Sequence, residues 1–274
     1  MAGEIVLSSG VRQNLLQLQK TADLITATQT KLATGKRVNT ALDNPINYFT
    51  AQGLTNRAGD LANLLDSMST GVNTIQAANN GITAITKLVQ SAQALASQAQ
   101  QTSDSTIRAG LATQFDAIRS QIDQLAADAG FNGINLLDST NSANLTVTLN
   151  ENGSSSVTIN AVDFSATGLA INASANAWAT NGDIATATGE LTAALSSLRS
   201  QAQAFGSNLS TVQVRQDFTK AMINTLQTGA DSLTLADSNE EGANLLALQT
   251  RQQLSTTALS LASQASQAVL RLFQ

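Results

Sequence analysis

Residues 11–32, VRQNLLQLQKTADLITATQTKL, decide how the rest of the chain is read. Val11, Leu15, Leu18, Ala22, Ile25 and Leu32 step by four and three, and the one gap in the stripe is Gln29. A seven-residue apolar repeat lines one side of an α-helix and calls for a second helix to cover it. The far end repeats the pattern with Leu254, Ala258, Leu261, Ala265, Ala268 and Leu272. Two longer runs lie between. Leu61, Leu65, Met68, Val72, Ile75 and Ile82 lead, after a one-step phase shift, into Ile85, Val89, Ala92, Ala96 and Ala99, so one helix is expected from about Ile46 to Gln101. Leu191, Leu195, Leu198, Ala202, Phe205, Leu209, Val212, Ile223, Leu226, Ala230 and Leu233 hold another register, broken at Gln216 and Thr219. A shorter helix through Ile107, Leu111, Phe115, Ile118, Ile122, Leu125 and Ala129 should stop at Gly130.

The middle has a different period. Leu145, Val147 and Leu149 alternate with polar residues, Asn152-Gly153 offers a turn, and Val157, Ile159 and Ala161 alternate again, the pattern of a β-hairpin. Residues 139–189 are otherwise rich in Ser, Thr, Asn, Ala and Gly, with Trp178 among small neighbours, and read as a β-rich, partly irregular surface insertion. Gly35 suits a helix C-cap, and Asp43-Asn44-Pro45 suits a cap followed by a helix start. Lys36 to Thr40 and Asp237 to Gly242 read as polar connectors. The expected fold is mainly α: a long antiparallel helical rod or coiled coil with paired N- and C-terminal helices and a small β-hairpin insertion.

Composition narrows the function. The 274 residues are 42 % apolar but only 12 % charged, against ~25 % in ordinary domains. Ser, Thr, Asn, Gln and Ala take the place of the missing charge, which suits packing against copies of the same chain. A net charge of −5 argues against nucleic acid. With no Cys and no His, thiol chemistry, most zinc sites and the commonest general base are excluded. Glu240 and Glu241 are adjacent and would not face one another on a helix, and Asp104, Asp116 and Asp123 lack metal-cluster spacing. No catalytic, metal or cofactor site is expected, and no enzyme. No run reaches the ~18 apolar residues of a membrane span, and uncharged residues 252–270 are interrupted by Gln, Ser and Thr, so they read as a protein-contact helix. The first residues lack the basic and apolar regions of a cleaved secretory signal, so export, if it occurs, would not remove one. Isolated stripes of Leu and Ile do not hold a helix in water, because helical stability comes from burying them. Both ends are therefore expected to order when neighbouring copies cover them; a monomeric helical bundle is the alternative.

Residues 32–45, LATGKRVNTALDNP, resemble the N-terminal region of bacterial flagellins. Gln52-Gly53-Leu54 with Arg57 resembles the alphaproteobacterial version, and 131–137, FNGINLL, is similar to a turn of that family. Residues 236–241, ADSNEE, and 262–273, ASQASQAVLRLF, resemble its C-terminal region. The resemblance implies a structural subunit that polymerises into the flagellar filament, the propeller of swimming. It implies export through the flagellar type III apparatus with a chaperone, growth beneath a cap, contact with hook-junction proteins, and an extracellular location with no membrane insertion. A hook–filament junction protein of the same superfamily is the alternative. The implied organisation is residues 1–44 as N-terminal inner-tube helix and connecting loop, 45–138 as the N-terminal part of a helical rod domain and 139–189 as the insertion. Residues 190–235 would then be the C-terminal part of the rod, and 236–274 a connector and inner-tube helix. Large outer domains are absent.

In that scheme the polymerisation core is Val11, Leu15, Leu18, Ala22, Ile25, Leu32, Leu254, Ala258, Leu261, Ala265, Val269 and Leu272. Lys36, Arg37 and Asp43 would make connector contacts. Thr140, Ser142, Ser154, Ser155, Ser156, Thr167 and Ser174 are candidates for O-linked sugar. The partner is the chain itself, alone or mixed with paralogous flagellins. One departure stands out: where enterobacterial-type flagellins carry an Arg- and Glu-containing patch read by a vertebrate innate immune receptor, residues 92–98 are AQALASQ. Weak or no activation of that receptor is expected.

Overall fold

The computed structural model describes residues 9–272, with the backbone alone at Ser266 and at 269–272. Five helices and one hairpin follow in the order α1 (Ser9–Thr34), α2 (Pro45–Gln100), α3 (Ser105–Asp128), β1 (Leu145–Thr148), β2 (Ser156–Ile159), α4 (Asn181–Thr234) and α5 (Ser238–Leu272). The mainly helical class with a small antiparallel sheet is as expected. Two compact units form, Met1–Asn56 with Thr225–Gln274, and Arg57–Asn224. The borders between the units fall inside α2 and α4.

In the unit of residues 57–224, the dry side of α2 comprises Leu61, Leu64, Met68, Gly71, Ile75, Ala78, Ile82, Ile85, Val89, Ala92, Ala96 and Ala99. These positions alternate three and four throughout, so the expected phase shift does not exist. Leu65 and Val72 sit beside the seam, and Leu64 and Gly71 occupy it. Gly71 is small for a reason: a Cβ there would lie 2.6 Å from Val147 Cγ2 of β1. Likewise a Cβ on Gly81 would meet Leu137 Cδ1 at 2.7 Å and Ala129 Cβ at 2.8 Å. On α4, Leu191, Leu198, Phe205, Val212 and Thr219 are buried at every seventh position. Thr219 therefore continues the register that sequence alone reads as broken.

Polar side chains fasten the ends of these helices. Asp104 caps α3, its carboxylate accepting from the amides of Thr106 and Ile107. Arg108, nearly buried, donates from Nε to the carbonyls of Ala99 (3.1 Å) and Thr102 (2.7 Å) where α2 ends. It also donates to the Ala179 carbonyl at 3.2 Å and to Asn181 Oδ1 where α4 begins. Helix C-terminal carbonyls carry partial negative charge, which helps a guanidinium lie there. At the far end of α3, Asn135 Nδ2 donates to the carbonyls of Ala126 (2.7 Å) and Ala127 (2.9 Å), and its Oδ1 accepts from the Leu137 amide. The preceding turn has Asn132 and Gly133 at φ 50° and 81°, with Phe131 and Ile134 exchanging backbone hydrogen bonds of 2.8 and 3.0 Å. Both central residues at positive φ make a type I′ turn, which Asn-Gly favours.

Residues 139–189 differ from expectation in two ways. The strands pair antiparallel, Leu145 opposite Ile159 and Val147 opposite Val157; Ala161 lies beyond one end, its amide donating to Asn144 Oδ1 at 2.9 Å, and Leu149 beyond the other, where Asn150 organises the connection. Its Oδ1 accepts from the Ser155 amide at 3.0 Å and its Nδ2 donates to Ser154 Oγ. Second, α4 begins at Asn181, well before residue 190. Thr180 and Asp183 form a reciprocal cap: the Asp183 amide donates to Thr180 Oγ1 (3.3 Å) and the Thr180 amide donates to the Asp183 carboxylate (3.1 Å). Those hydrogen bonds hold the Asp183 carboxyl below the usual range, the Thr180 hydroxyl contributing most.

Trp178 is fully buried, its ring 5.0 Å from that of Phe115 on α3. The backbone reaches this position through three consecutive left-handed residues, Asn176, Ala177 and Trp178, at φ 48°, 47° and 58°. An L-residue in that region is strained by about 1–2 kcal/mol, and the burial of Trp178 offsets it. Around the segment, Asp116 accepts from the amide and hydroxyl of Ser174, Arg119 Nε donates to the Ile171 carbonyl, and Asp123 accepts from the Ala166 amide. Ala177→Gly removes that strain and should stabilise the fold by about 0.5–1 kcal/mol, after allowing for the extra freedom of glycine in the unfolded chain. Gly81→Ala should instead destabilise it. The single Trp makes fluorescence-monitored denaturation the direct check on both.

Candidate assembly surface of the terminal helices

In the unit of residues 1–56 and 225–274, α1 ends at Gly35, whose φ of +67° supplies the left-handed residue that closes a helix. α5 starts at Asp237, whose carboxylate accepts from the amides of Asn239 (2.8 Å) and Glu240 (3.3 Å). Glu240 and Glu241 thus lie in a helical first turn, where negative charge is favoured, and not in a connector. Lys31, in the last turn of α1, meets Glu241 at 2.9 Å. That contact makes the two helices antiparallel, though a half-exposed pair adds only ~0–1 kcal/mol.

The α1–α5 seam draws partly on the sequence-derived stripe and partly on residues outside it. On α1 the less exposed positions are Val11, Asn14, Leu18, Thr21, Ile25, Thr28 and Leu32; on α5 they are Glu241, Leu245, Leu248, Gln252, Ser255, Leu259 and Ala262. Both series alternate three and four, and each mixes apolar with neutral polar side chains. Thr21 is wholly buried, its hydroxyl donating to the Gln17 carbonyl one turn back at 2.8 Å.

Of the sequence-derived stripe, Val11, Leu18, Ala22, Ile25 and Leu32 are half-buried, while Leu15 is exposed. Leu254 and Leu261 are 66 % and 61 % exposed, and Ala258 and Ala265 are exposed as well, on the side of α5 turned away from α1. The side chains of Val269 and Leu272 lie outside the described residues. Leu16, Leu24 and Leu246 are exposed too and were missed by the heptad reading. The signal for Leu246 was its eight-residue distance from Leu254.

The connector residues are exposed, and hydrogen bonds within the chain hold their segment in place. Arg37 donates through its amide to the Thr234 carbonyl (2.8 Å) and through Nη2 to the Ser232 carbonyl (3.1 Å). Lys36 forms a β-bridge with Leu235. Asp43 accepts from the amides of Asn39 (2.9 Å) and Thr40 (2.8 Å) and from the Thr40 hydroxyl. The Thr40 amide, then the Asn39 amide, holds its carboxyl below the usual carboxylate range. Among the described residues no group of His, Cys, Asp and Glu is placed to hold a metal ion, and no helix is long and apolar enough to cross a membrane. The arrangement leaves apolar side chains of both helices in water.

Residues 9–142 match the bacterial flagellin N-terminal helical region, and residues 186–273 match the C-terminal helical region. The chain belongs to the bacterial flagellin family. It is 31 % identical to flagellin FljM of Caulobacter vibrioides over 97 % of each chain, and 30 % identical to FljK of that organism over the same shares. It is 26 % identical to a flagellin of Brucella melitensis over 98 % of this chain and 99 % of that one. The protein is a structural subunit of the flagellar filament, and nothing favours the hook–filament junction alternative. Flagellins are structural proteins that self-polymerise, and the family's filament is extracellular.

Asp43→Ala should free the loop, accelerating hydrogen exchange at the Asn39 and Thr40 amides. In the unaltered chain, a depressed pKa means the carboxylate stabilises the loop above the ordinary carboxylate range and loses that effect as pH falls through the depressed value. NMR titration should place the Asp43 carboxyl midpoint below that range.

Proposed function

We propose that the exposed leucine face of α5, with the remaining apolar side of α1, is the surface on which neighbouring flagellin copies pack. The observation that carries this is the position of Leu254 and Leu261 on the side of α5 that α1 does not cover. A line of exposed leucines on one helix face marks an interaction surface. Of the sequence-derived set, Leu15, Ala22, Leu254, Ala258, Leu261 and Ala265, with Val269 and Leu272, form this surface together with Leu24 and Leu246, while Val11, Leu18, Ile25 and Leu32 support it from the α1–α5 seam. Lys36, Arg37 and Asp43 act within the chain, setting the connectors from which α1 and α5 leave.

The same reading places the chain outside the cell, delivered by the flagellar export apparatus with its chaperone and added beneath a cap, and gives it no bond chemistry of its own. Residues 1–44 and 236–274 supply the inner tube. Residues 45–138 and 190–235 supply the tube around it, and 139–189 the outward insertion. Of the hydroxyls proposed for O-linked sugar, Ser142 accepts from the Asn135 amide, Ser174 donates to Asp116, and Ser154 donates to Asn152. Exposed Thr140, Ser156 and Thr167 are the better acceptors. In filaments taken from cells, glycopeptide mass spectrometry should find any sugar there first.

Purified protein seeded with sheared filaments should grow long tubes by negative-stain electron microscopy, with helicity rising on assembly. Leu254→Asp or Leu261→Asp should stop growth while leaving Trp178 fluorescence unchanged; growth at the unaltered rate would sink the reading. On α2, Ala92 and Ala96 are buried, and the outward residues Gln93, Ala94, Leu95, Ser97 and Gln98 carry no charge. Receptor-reporter cells should therefore respond weakly or not at all.

A further inference from the structure

The chain contains four Asn-Gly pairs, at 80–81, 132–133, 152–153 and 181–182. In such a pair the glycine nitrogen can attack the asparagine side chain, because no Cβ hinders its approach and the backbone turns freely there. The attack needs a free carboxamide, a free glycine N–H and a peptide able to swing until the nitrogen lies over Cγ. The fold grants these conditions unequally.

Asn80 and Gly81 lie inside α2, where the helix fixes the peptide, and Gly81 is buried against Leu137 and Ala129. Asn181 opens α4, and its Oδ1 accepts from Arg108 Nη2. Asn152 is exposed, but both reacting groups are engaged. Its Oδ1 accepts from the amide (3.1 Å) and the hydroxyl (2.7 Å) of Ser154, and the Gly153 amide donates to the Asn150 carbonyl at 3.2 Å. Asn132 and Gly133 differ on every count. Both are exposed, and among the described residues no hydrogen bond holds the Asn132 carboxamide or the Gly133 amide.

The peptide between them is also the easiest to swing. Only the paired backbone hydrogen bonds of Phe131 and Ile134, 2.8 and 3.0 Å, close the turn. Asn132 is an L-residue at φ 50°, so leaving the turn geometry relieves its backbone.

We propose that Asn132 is a self-modification site, the fastest in the folded chain to deamidate to aspartate and isoaspartate through a cyclic imide with Gly133. The Gly133 nitrogen bonds to Asn132 Cγ and gives up its proton. The Cγ–Nδ2 bond breaks, and ammonia leaves with that proton. Water then adds to either carbonyl of the imide and reopens the ring. Amide plus water becomes acid plus ammonia, with no oxidant, reductant or second protein. Both products carry a new negative charge just beyond the C-terminal end of α3, where the helix carbonyls disfavour it. Isoaspartate also routes the main chain through Cβ, so the Phe131–Ile134 pair cannot keep both hydrogen bonds. The next residue is Asn135, which holds the Ala126 and Ala127 carbonyls and accepts from the Leu137 amide at 2.9 Å. Damage in the turn therefore loosens the closure of α3.

The test ages the purified full chain in mildly alkaline buffer made with heavy-oxygen water and follows each Asn-Gly peptide by mass spectrometry. Heavy oxygen marks the conversion that occurs during the incubation. Residue 132 should convert several-fold faster than 152, with 80 and 181 slower still. Isoaspartate, measured with an isoaspartyl methyltransferase, should be the larger product, because direct hydrolysis of the side chain gives aspartate alone. In urea the four rates should draw together, since each asparagine then has only its glycine in common with the others. Asn132→Gln should remove the conversion at 132 with circular dichroism unchanged, because the longer side chain closes its ring slowly. In aged protein the Leu137 amide should exchange faster than in fresh protein. A folded chain in which another pair outpaces 132, or a spread of rates that is the same in urea, overturns the proposal. Aspartate at 132 without isoaspartate excludes the imide, and unchanged exchange at Leu137 overturns the consequence for α3.

Discussion

A helix with one neighbour can cover only one of its sides, and this constraint governs the terminal unit. α1 and α5 pack on each other through a seam of which five of fourteen residues are neutral polar, while Leu24, Leu246, Leu254 and Leu261 stay in water. Ordering the backbone opposes folding by about 1–2 kcal/mol per residue, and apolar burial is the main offset. A seam that includes Asn14, Thr21, Gln252 and Ser255 buries little apolar surface. On the proposed reading, neighbouring copies supply the remainder by covering the exposed leucines.

The unit of residues 57–224 answers the same constraint internally. There α2, α3, α4 and the hairpin share a core of Met68, Phe115, Ile122, Ile159, Trp178 and Leu198, each with little or no surface left in water. Its polar devices close helix ends and are not chemistry: Arg108 gathers carbonyls at the end of α2, and Asn135 gathers those at the end of α3. Neither has a carboxylate partner among the hydrogen bonds it makes. Such groups suit a fold that must hold still under load.

Helix number, the span of α2 and the hairpin were legible in the sequence because each rests on apolar period alone. What escaped it was apolar period carried by residues that do not look apolar. Gly71 holds a core position of α2 because Val147 needs the room, so a count of large side chains slips one place and invents a phase shift. Thr219 holds a heptad position of α4 and reads as a break. The start of α4 is marked by Thr180 and Asp183, a cap with Asp in the place usually searched for Glu or Gln. The proposed assembly face was half legible: Leu254 and Leu261 stood out by spacing, but only the packed pair shows that they face away from α1.

The composition follows from the same physics. In a polymer where most sides of a helix meet another copy, a charge on almost any side would be desolvated, and an unpaired desolvated charge is strongly destabilising. Threonine avoids that difficulty. Thr21, Thr26, Thr30 and Thr34 on α1 each donate their hydroxyl to the carbonyl four residues earlier, as do Thr250 and Thr257 on α5. A donor satisfied by its own helix can be covered by a neighbour without needing a partner there. The surface is thus polar enough for a soluble subunit and already paired for a buried one. Low charge and abundant hydroxyls in this chain are two consequences of a single requirement, that the same surface be acceptable in water and in contact.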